Sequence, residues 1–233
     1  MPEEPTAATA SLIPPTPIPA AAEVFSKRMR GLLDGQPKDE ATVTKALAGQ
    51  DEMFELIAAG MYSLASMMVG EGEESVRLVE TAVATAEVSV CHDPHTARMS
   101  SRRALSSAAL GILARRDPQC LAVPEGLEHS STCIEDDDVS SAGISNEEFE
   151  NMIGGPDRER VRKWLESLPM IVRNIFVLRA VAGFTTVETA ELLKTRGGSA
   201  AAGWTPDAVR EVFRQGLCSL ASQLIHATAA AER

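Results

Sequence analysis

Two stretches, TTVETAELLK at residues 185–194 and TPDAVREVFRQGLCSL at residues 205–220, decide the fold of the C-terminal third of this chain. The first begins with a threonine that is followed three residues later by Glu188, the pattern of a capping box. The second begins with a threonine directly before Pro206, and proline is favoured at the first position of a helix. Two capped helices are therefore predicted close together near the C-terminus.

Two further helices are predicted directly upstream of this pair. The first begins at Pro156 and Asp157 and is broken by Pro169. The second ends at Gly183, which suits the residue after a helix C-terminus. Both have apolar residues at helical spacing, namely Val161, Trp164, Leu165 and Leu168 in the first and Ile171, Val172, Ile175, Phe176 and Leu178 in the second.

The last helix is predicted to have an apolar face and a polar face. Its apolar residues are Val209, Val212, Phe213, Leu217, Leu220 and Leu224. The opposite face offers what the exposed start of a DNA-reading helix needs: Thr205, Asp207, Ala208, Arg210, Glu211 and Arg214. Arg210 and Arg214 lie one turn apart and could both reach a phosphate or a guanine edge. The alternative is a plain helical body with a solvated charged face.

The N-terminal half contains three more segments with helical periodicity. Apolar residues recur every three or four positions around Met53–Val69 and Glu73–Val90, and this continues around Thr96–Arg116. Two weaker segments precede them at about 22–34 and 38–48. The third segment contains no acidic residue, so its arginines are expected to form a positive strip: Arg98, Arg102, Arg103, Arg115 and Arg116.

Charge is distributed unevenly along the chain, whose formal net charge is −11. Residues 117–155 hold 10 acidic residues and no lysine or arginine, whereas residues 156–233 hold 8 acidic and 11 basic residues. The acidic segment lacks a sustained helical period and is predicted to be a linker, with a short helix near Asn146–Met152. This segment could fold back on the basic C-terminal part, so that its negative charge masks the basic residues there.

Composition also bears on location. Residues 1–21 are rich in proline and alanine and carry Glu3 and Glu4 where a signal peptide needs positive charge, so a disordered tail is expected. No apolar run reaches 18 residues, so no membrane span is predicted. Because the cysteines lie far apart in sequence, a disulfide scaffold is not expected and a reducing cytoplasm is the predicted location. They are Cys91, Cys120, Cys133 and Cys218.

The segment WLESLPMIVRNIFVLRAVAGFTTVETAELL, residues 164–193, resembles region four of bacterial sigma factors, especially the extracytoplasmic-function class. The matching residues follow the order of the family: Leu168, Pro169, Arg173, Phe176, Leu178, Arg179, Gly183, Glu188, Ala190 and Glu191, then Val209 and Arg210. MYSLASMMVGEGEESVRLVETAVATA at 61–86 and SSRRALSSAALGILARR at 100–116 resemble region two, in a degenerate form. The insertion TRGGSAAAG at 195–203 makes the turn longer than usual and is expected to loosen the second helix.

The resemblance implies an all-α protein with two helical domains joined by the acidic linker. A region-two-like three-helix body, residues 22–116, would dock on the RNA polymerase core and contact the −10 element through the arginine strip. A region-four-like helix-turn-helix body, residues 156–233, would read the −35 element. The residues in the polymerase-binding position are Glu74, Arg77, Leu78 and Glu80.

The implied function is transcription initiation by binding, with RNA polymerase core, promoter DNA and an anti-sigma factor as partners. No catalytic residue, cofactor or metal is expected. The stretch CHDPH at 91–95 is better explained as a turn between helices. One alternative stays open, because residues 96–116 contain no aromatic side chain on which an unpaired base could stack. In that alternative the protein is a sigma-shaped mimic that binds an anti-sigma factor or polymerase without opening promoters.

Overall fold

A computed structural model describes residues 60–85, 94–127 and 133–231. Within these ranges the fold is entirely helical, with eight α-helices and no strand, as the sequence predicts. None of these helices combines the length and the apolarity needed to cross a bilayer. The predicted tail at 1–21 and the weak segments at 22–34 and 38–48 lie outside the described residues.

The α-helices are numbered here in chain order. They are α1 at residues 60–69, α2 at Glu73–Thr85, α3 at Pro94–Arg116, α4 at Asn146–Gly154, α5 at Arg158–Ser167, α6 at Met170–Phe176, α7 at Thr186–Arg196 and α8 at Pro206–Ala231. A π-helical turn, Val177–Val181, continues α6. Short 3-10 turns at Pro118–Leu121, Val139–Ala142 and Ser199–Ala201 lie in the connections.

Helices α1 and α3 largely bury the apolar stripes that their sequence periodicity predicts, and α2 packs along α3. The predicted stripe residues that are almost fully buried are Met61, Leu64, Ala65, Met68, Val79, Leu105, Ala109 and Leu113. In α2 the predicted Val76 and Val83 are only half-buried, and Leu78 and Ala82 are buried beside Val79 instead. The predicted ends of the first two helices, at residues 53–59 and 86–90, lie outside the described residues. Burial of the helix stripes by packing against neighbours is what stabilises helices of this length.

The signals at Pro169, Gly183, Thr185 and Thr205 are confirmed, whereas α5 begins at Arg158, just after the predicted start at Pro156 and Asp157. The Thr185 hydroxyl accepts from the Glu188 backbone N at 3.2 Å, and the Glu188 carboxylate accepts from the Thr185 backbone N at 2.9 Å, which completes the capping box of α7. Pro169 separates α5 from α6. Gly183 adopts φ of 78°, a left-handed conformation that glycine adopts without a Cβ clash, and so turns the chain from α6 toward α7.

An aromatic cluster fixes α8 against α6. The ring of Phe176 lies 5.0 Å from Trp164, 5.5 Å from Phe213 and 5.7 Å from Phe149, measured between ring centroids. Gly216 faces this cluster, and a Cβ there would come within 2.7 Å of the Phe176 ring. The glycine is therefore a point of close helix approach, because any side chain would push α8 away from α6.

The connection between α7 and α8 is anchored rather than loose, contrary to the expectation from its glycine and alanine content. Ala201 and Trp204 are fully buried. The Trp204 indole Nε1 donates a hydrogen bond to the backbone oxygen of Leu121 at 2.8 Å. A buried aromatic ring with its polar atom satisfied holds the connection to the preceding segment and so defines where α8 begins.

The acidic segment 117–155 is folded in its described residues. Its carboxylates are mostly exposed, but apolar residues between them are buried: Leu121, Ile134, Val139, Ala142, Ile144 and Phe149. Its predicted short helix is α4, capped by a second capping box between Ser145 and Glu148. All the described residues fall within one compact unit. The division into two domains with a linker between them stays a prediction.

Candidate nucleic-acid interface

The N-terminal end of α8 presents polar residues at the protein surface. Thr205 and Asp207 are exposed, and the Thr205 hydroxyl caps the helix by accepting from the Ala208 backbone N at 3.1 Å. The opposite face is buried, with Val209, Val212 and Leu217 fully inaccessible and Phe213 and Leu220 nearly so. Leu224, the last residue of the predicted apolar face, is half-buried. The polar residues predicted for DNA contact thus share the outer side of this end, while the apolar side holds the helix to the body.

Arg210 is the outermost cation on this face, and acidic side chains surround it. Its Nη1 donates to Asp207 Oδ1 at 2.6 Å, and its Nε lies 3.6 Å from Asp137 Oδ2. Its side chain is 41% exposed. Arg214, one turn further on, lies 3.7 Å from Glu211 and is 26% exposed, and its Nε is buried without a hydrogen-bond partner among the described residues.

Asp137 connects the three helices of the candidate interface. Its Oδ2 accepts from Arg179 Nη2 at 3.2 Å and from the Thr186 hydroxyl at 3.3 Å, and it pairs with Arg210. These partners lie on the π-turn after α6, on α7 and on α8. A carboxylate from the acidic segment therefore occupies the position where a phosphate could bind. The prediction that this segment could fold back on basic residues agrees with this contact.

Arg179 is the most enclosed cation of the group. Its side chain is 16% exposed, it donates to the backbone oxygens of Phe184 and Asp137 at 3.0 and 3.1 Å, and its guanidinium lies 5.0 Å from the Phe213 ring centroid. Burial lowers its pKa, and the charge of Asp137 opposes that shift. Because arginine keeps its proton in proteins, Asp137 compensates a partly buried positive charge.

A disulfide joins the acidic segment to α8, between Cys133 and Cys218, whose Cα atoms are 5.7 Å apart. This corrects the expectation that the cysteines are unpaired, which rested on their separation of 85 residues in sequence. The backbone N of Cys133 also donates to the Cys218 sulfur at 2.9 Å. Cys120 is outside the disulfide, and burial raises the pKa of its thiol.

A surface groove lies beside the exposed end of α8. Its volume is about 540 Å³, and its walls are residues 123–127 on one side and the start of α8, from Gly203 to Glu211, on the other. Val123, Pro124 and Leu127 give one wall an apolar character, whereas Asp207 and Glu211 are acidic. The groove keeps Thr205 and Asp207 accessible from this side.

The five arginines of α3 do not form a single strip in the structure. Arg103 turns toward α7, where it pairs with Glu188 at 2.5 Å and lies 5.6 Å from the Phe184 ring centroid. Arg116 turns toward α2 and pairs with Glu74. Different neighbours thus engage these two cations, so the positive charge that the sequence places on one helix is divided between two sides.

The other three arginines of α3 differ in exposure. Arg102 is half-buried, and its pKa is lowered first by burial and then by the nearby charge of Arg98. Arg98 and Arg115 are exposed. The uncompensated charge of α3 is therefore smaller than its sequence suggests.

The residues predicted to bind polymerase lie on α2 in different environments. Glu74 pairs with Arg116, and Arg77 pairs with Glu73 at 2.6 Å within the helix. Glu80 is exposed, whereas Leu78 is fully buried. Leu78 therefore holds α2 to the core, and the polar residues are the ones that a partner could reach.

The described residues contain no group of three or more histidine, cysteine, aspartate or glutamate side chains arranged to hold a metal ion. Of the stretch at 91–95, Cys91, His92 and Asp93 lie outside the described residues. Comparison with known protein families, with curated proteins and with solved structures found no match for this chain.

Proposed function

We propose that this protein is a sigma-type transcription initiation factor, which binds the RNA polymerase core in the cytoplasm and directs it to promoter DNA. The observation that carries the proposal is the N-terminal end of α8, where Thr205 and Asp207 are exposed, Arg210 and Arg214 are partly exposed, and Val209, Val212 and Phe213 are buried behind them. That is the geometry with which the second helix of a helix-turn-helix enters a major groove.

In this proposal α7 and the π-turn before it position α8. The capping box at Thr185 fixes the start of α7, and the aromatic cluster around Phe176 fixes α8 against α6. A recognition helix must be rigidly placed because its few base contacts depend on register. Arg210 and Arg214 would contact phosphate or a guanine edge of the −35 element, and exposed arginines of α3 would face the −10 element.

The second candidate, a sigma-shaped protein that does not open promoters, is favoured by a specific contact. Asp137 already occupies Arg179 and Arg210, so the cations of the interface are partly neutralised within the chain. A protein in this state would bind an anti-sigma factor or polymerase without reading DNA. The lack of an aromatic residue in 96–116 favours the same outcome, since opened strands need a stacking surface.

Reconstituted transcription separates the two candidates. The protein would be reduced with a dithiol, mixed with RNA polymerase core from its own bacterial host, and supplied with genomic DNA fragments. Sequencing of RNA 5′ ends would map initiation, and permanganate would mark unpaired thymines. The initiation-factor proposal expects new 5′ ends that share an upstream sequence and permanganate-reactive positions at those ends.

The double variant Arg210→Ala/Arg214→Ala should lose these transcripts while still binding the polymerase core. Lys163→Ala removes an exposed cation from α5 and serves as the matched control, which should transcribe like the unchanged protein. If no new transcript and no opened DNA appear, while the protein binds polymerase core or an anti-sigma protein tightly, the second candidate is the correct one.

A further inference from the structure

Residues 133–138 of the acidic segment, called the cover below, pair with Arg179 and Arg210 through Asp137 and are joined to α8 by a disulfide. Cys133 lies four residues before Asp137 and is joined to Cys218, which lies on α8 two turns beyond Arg210. Four residues of chain span at most about 14 Å even when fully extended. The disulfide therefore keeps the Asp137 carboxylate within reach of Arg179 and Arg210.

Without the disulfide, residues 133–138 would be held by the burial of Ile134 and by the contacts of Asp137 with Arg179 and Arg210, and the pair with Arg210 is weak. The side chains of Arg210 and Asp137 are 41% and 35% exposed, and ion pairs at such exposure contribute little and are screened by salt. A tether changes this, because it makes rebinding of the carboxylate an intramolecular event at high effective concentration. The disulfide thus favours the covered state over a state in which DNA phosphates replace Asp137.

The part of the acidic segment that can open is short. Asp138 caps the 3-10 turn Val139–Ala142 by accepting from the Ser140 backbone N at 2.8 Å. From that turn onward the segment is held by buried residues, among them Val139 and Phe149. Opening would therefore move residues 133–138, with Ile134 leaving its buried position, and expose Arg179 and Arg210, while α4 stays packed in the core.

The geometry points to a redox latch: we propose that the Cys133–Cys218 disulfide holds the Asp137 cover closed and that reduction by a dithiol opens it. The inference rests on the proposed function, because the face it uncovers is the face proposed to contact promoter DNA. Disulfides in cytosolic proteins are usually transient or redox-sensing, which suits a latch of this kind.

The chemistry balances with one dithiol for each disulfide. Cys133 is exposed and Cys218 is half-buried, so a thiolate of the dithiol attacks the Cys133 sulfur and Cys218 leaves as a thiolate. The second thiol of the reductant then displaces Cys133 from the mixed disulfide. Two electrons and two protons pass to the two cysteines, and the reductant becomes a disulfide.

The first experiment counts thiols in the 233-residue chain, which has 4 cysteines. The protein would be purified without reductant, denatured and alkylated, and its mass measured before and after treatment with dithiothreitol. The latch expects the peptides carrying Cys133 and Cys218 to be alkylated only after reduction. Full alkylation of both without reductant would overturn the proposal.

The second experiment reads the cover directly, without DNA. Hydrogen exchange measured by mass spectrometry would compare oxidised and reduced protein over residues 133–138 and at the start of α8. Reduction should speed exchange at residues 133–138 by about tenfold or more, while α4 and α6 stay unchanged. Equal exchange in the two states would show that the disulfide does not hold the cover and would overturn the latch.

The third experiment measures binding to a fluorescent pool of random-sequence duplex DNA, since phosphate contacts need no particular sequence. If about a tenth of the oxidised protein is open, reduction should tighten binding about tenfold. The variant Cys133→Ser/Cys218→Ser should bind tightly in both conditions. Asp137→Asn, which keeps the disulfide, should raise affinity of the oxidised protein. Cys120→Ser is the matched control and should respond to reduction like the unchanged protein.

The outcomes separate the latch from the proposed function. Faster exchange on reduction without any increase in DNA affinity supports the latch and contradicts the DNA-reading role of α8. Promoter opening by the oxidised protein, with unchanged exchange, supports the initiation factor and contradicts the latch.

Discussion

Helix α3 carries five arginines and no acidic residue, whereas α8 carries two arginines and two acidic residues, and the structure compensates their arginines by different routes. On α8, Arg210 is paired with Asp137, a carboxylate that also pairs with partly buried Arg179 and belongs to a segment joined to α8 by a disulfide. On α3, Arg103 and Arg116 form exposed pairs with helices on opposite sides. A basic helix therefore becomes a basic surface only where no carboxylate is built against it.

The largest expected effect on stability concerns the aromatic core that holds α8. Phe176 is fully buried and contacts three other rings, so Phe176→Ala should lower the free energy of unfolding by about 3–5 kcal/mol and loosen α8. Urea denaturation followed by circular dichroism measures the change. Val187→Ala, at a residue that is 62% exposed, should stay within about 0.5 kcal/mol. A loss below about 1 kcal/mol for Phe176→Ala would mean that the aromatic cluster does not hold α8.

Glycine substitutions should have opposite signs in the two helices. At Gly216 of α8 an added Cβ meets the Phe176 ring at 2.7 Å, and such overpacking costs about 1–3 kcal/mol against a helix-propensity benefit of up to about 1 kcal/mol. At Gly111 of α3 the nearest atom is Arg115 Nη1 at 3.5 Å, an ordinary contact. Gly216→Ala should therefore destabilise the protein and Gly111→Ala should stabilise it by about 0.5–1 kcal/mol. The midpoint of thermal unfolding should fall for Gly216→Ala and rise for Gly111→Ala. If both midpoints shift by the same amount in the same direction, α8 does not approach α6 as closely as described.

Removal of a carboxylate charge should matter more beside α8 than beside α3. Asp137→Asn leaves partly buried Arg179 without its counter-charge and should cost about 1–2 kcal/mol of stability. Glu74→Gln breaks an exposed pair with Arg116 and should cost less than about 1 kcal/mol. Urea denaturation of both variants at low and high salt measures the contrast, and equal losses would mean that Arg179 does not depend on Asp137.

The smallest effect concerns pH and the capping box of α7. Hydrogen bonds from Thr185 lower the pKa of Glu188 below its ordinary value of 4.5, with the charge of Arg103 adding to the shift. Because the folded-state pKa is the lower one, the stabilisation is complete above about pH 4.5 and is lost as pH falls through the folded value.

Thr185→Ala should therefore cost about 1 kcal/mol at neutral pH and less in acid, where Glu188 is protonated. Unfolding midpoints across a pH series, with Thr205→Ala as the control cap that has no glutamate partner, test this prediction. If the stability cost of Thr185→Ala does not change with pH, protonation of Glu188 does not affect the helix cap and the prediction is wrong.

Local features of this fold could be predicted from the sequence, whereas contacts distant in sequence could not. The helix starts at Thr185 and Thr205 follow from hydrogen bonds within one turn, so a few neighbouring residues suffice to predict them. The contact between Asp137 and Arg179 spans 42 residues and the disulfide spans 85. Neither spacing distinguishes these partners from other acids, arginines and cysteines.

The acidic segment shows why composition misled. Its many carboxylates predict a solvated linker, but Ile134, Val139, Ile144 and Phe149 are buried. They lie five residues apart, a spacing that matches neither the helix period of 3.6 residues nor the strand period of 2. The sequence also does not reveal the roles of three small residues of α8, namely Gly216, Cys218 and Ser219. Gly216 allows close packing against Phe176, Cys218 forms the disulfide, and the Ser219 hydroxyl accepts a hydrogen bond from the Trp164 indole.

The carboxylate of Asp137 also affects how this protein would respond to ionic strength. In the proposed function, a phosphate that binds Arg210 has to displace an anion that already belongs to the chain. The freed Asp137 carboxylate then attracts small cations from solution, which offsets part of the cations that the DNA releases. Salt weakens the internal ion pair and the external one together. The measured affinity for DNA should therefore depend on salt less steeply than the number of arginines at the interface suggests.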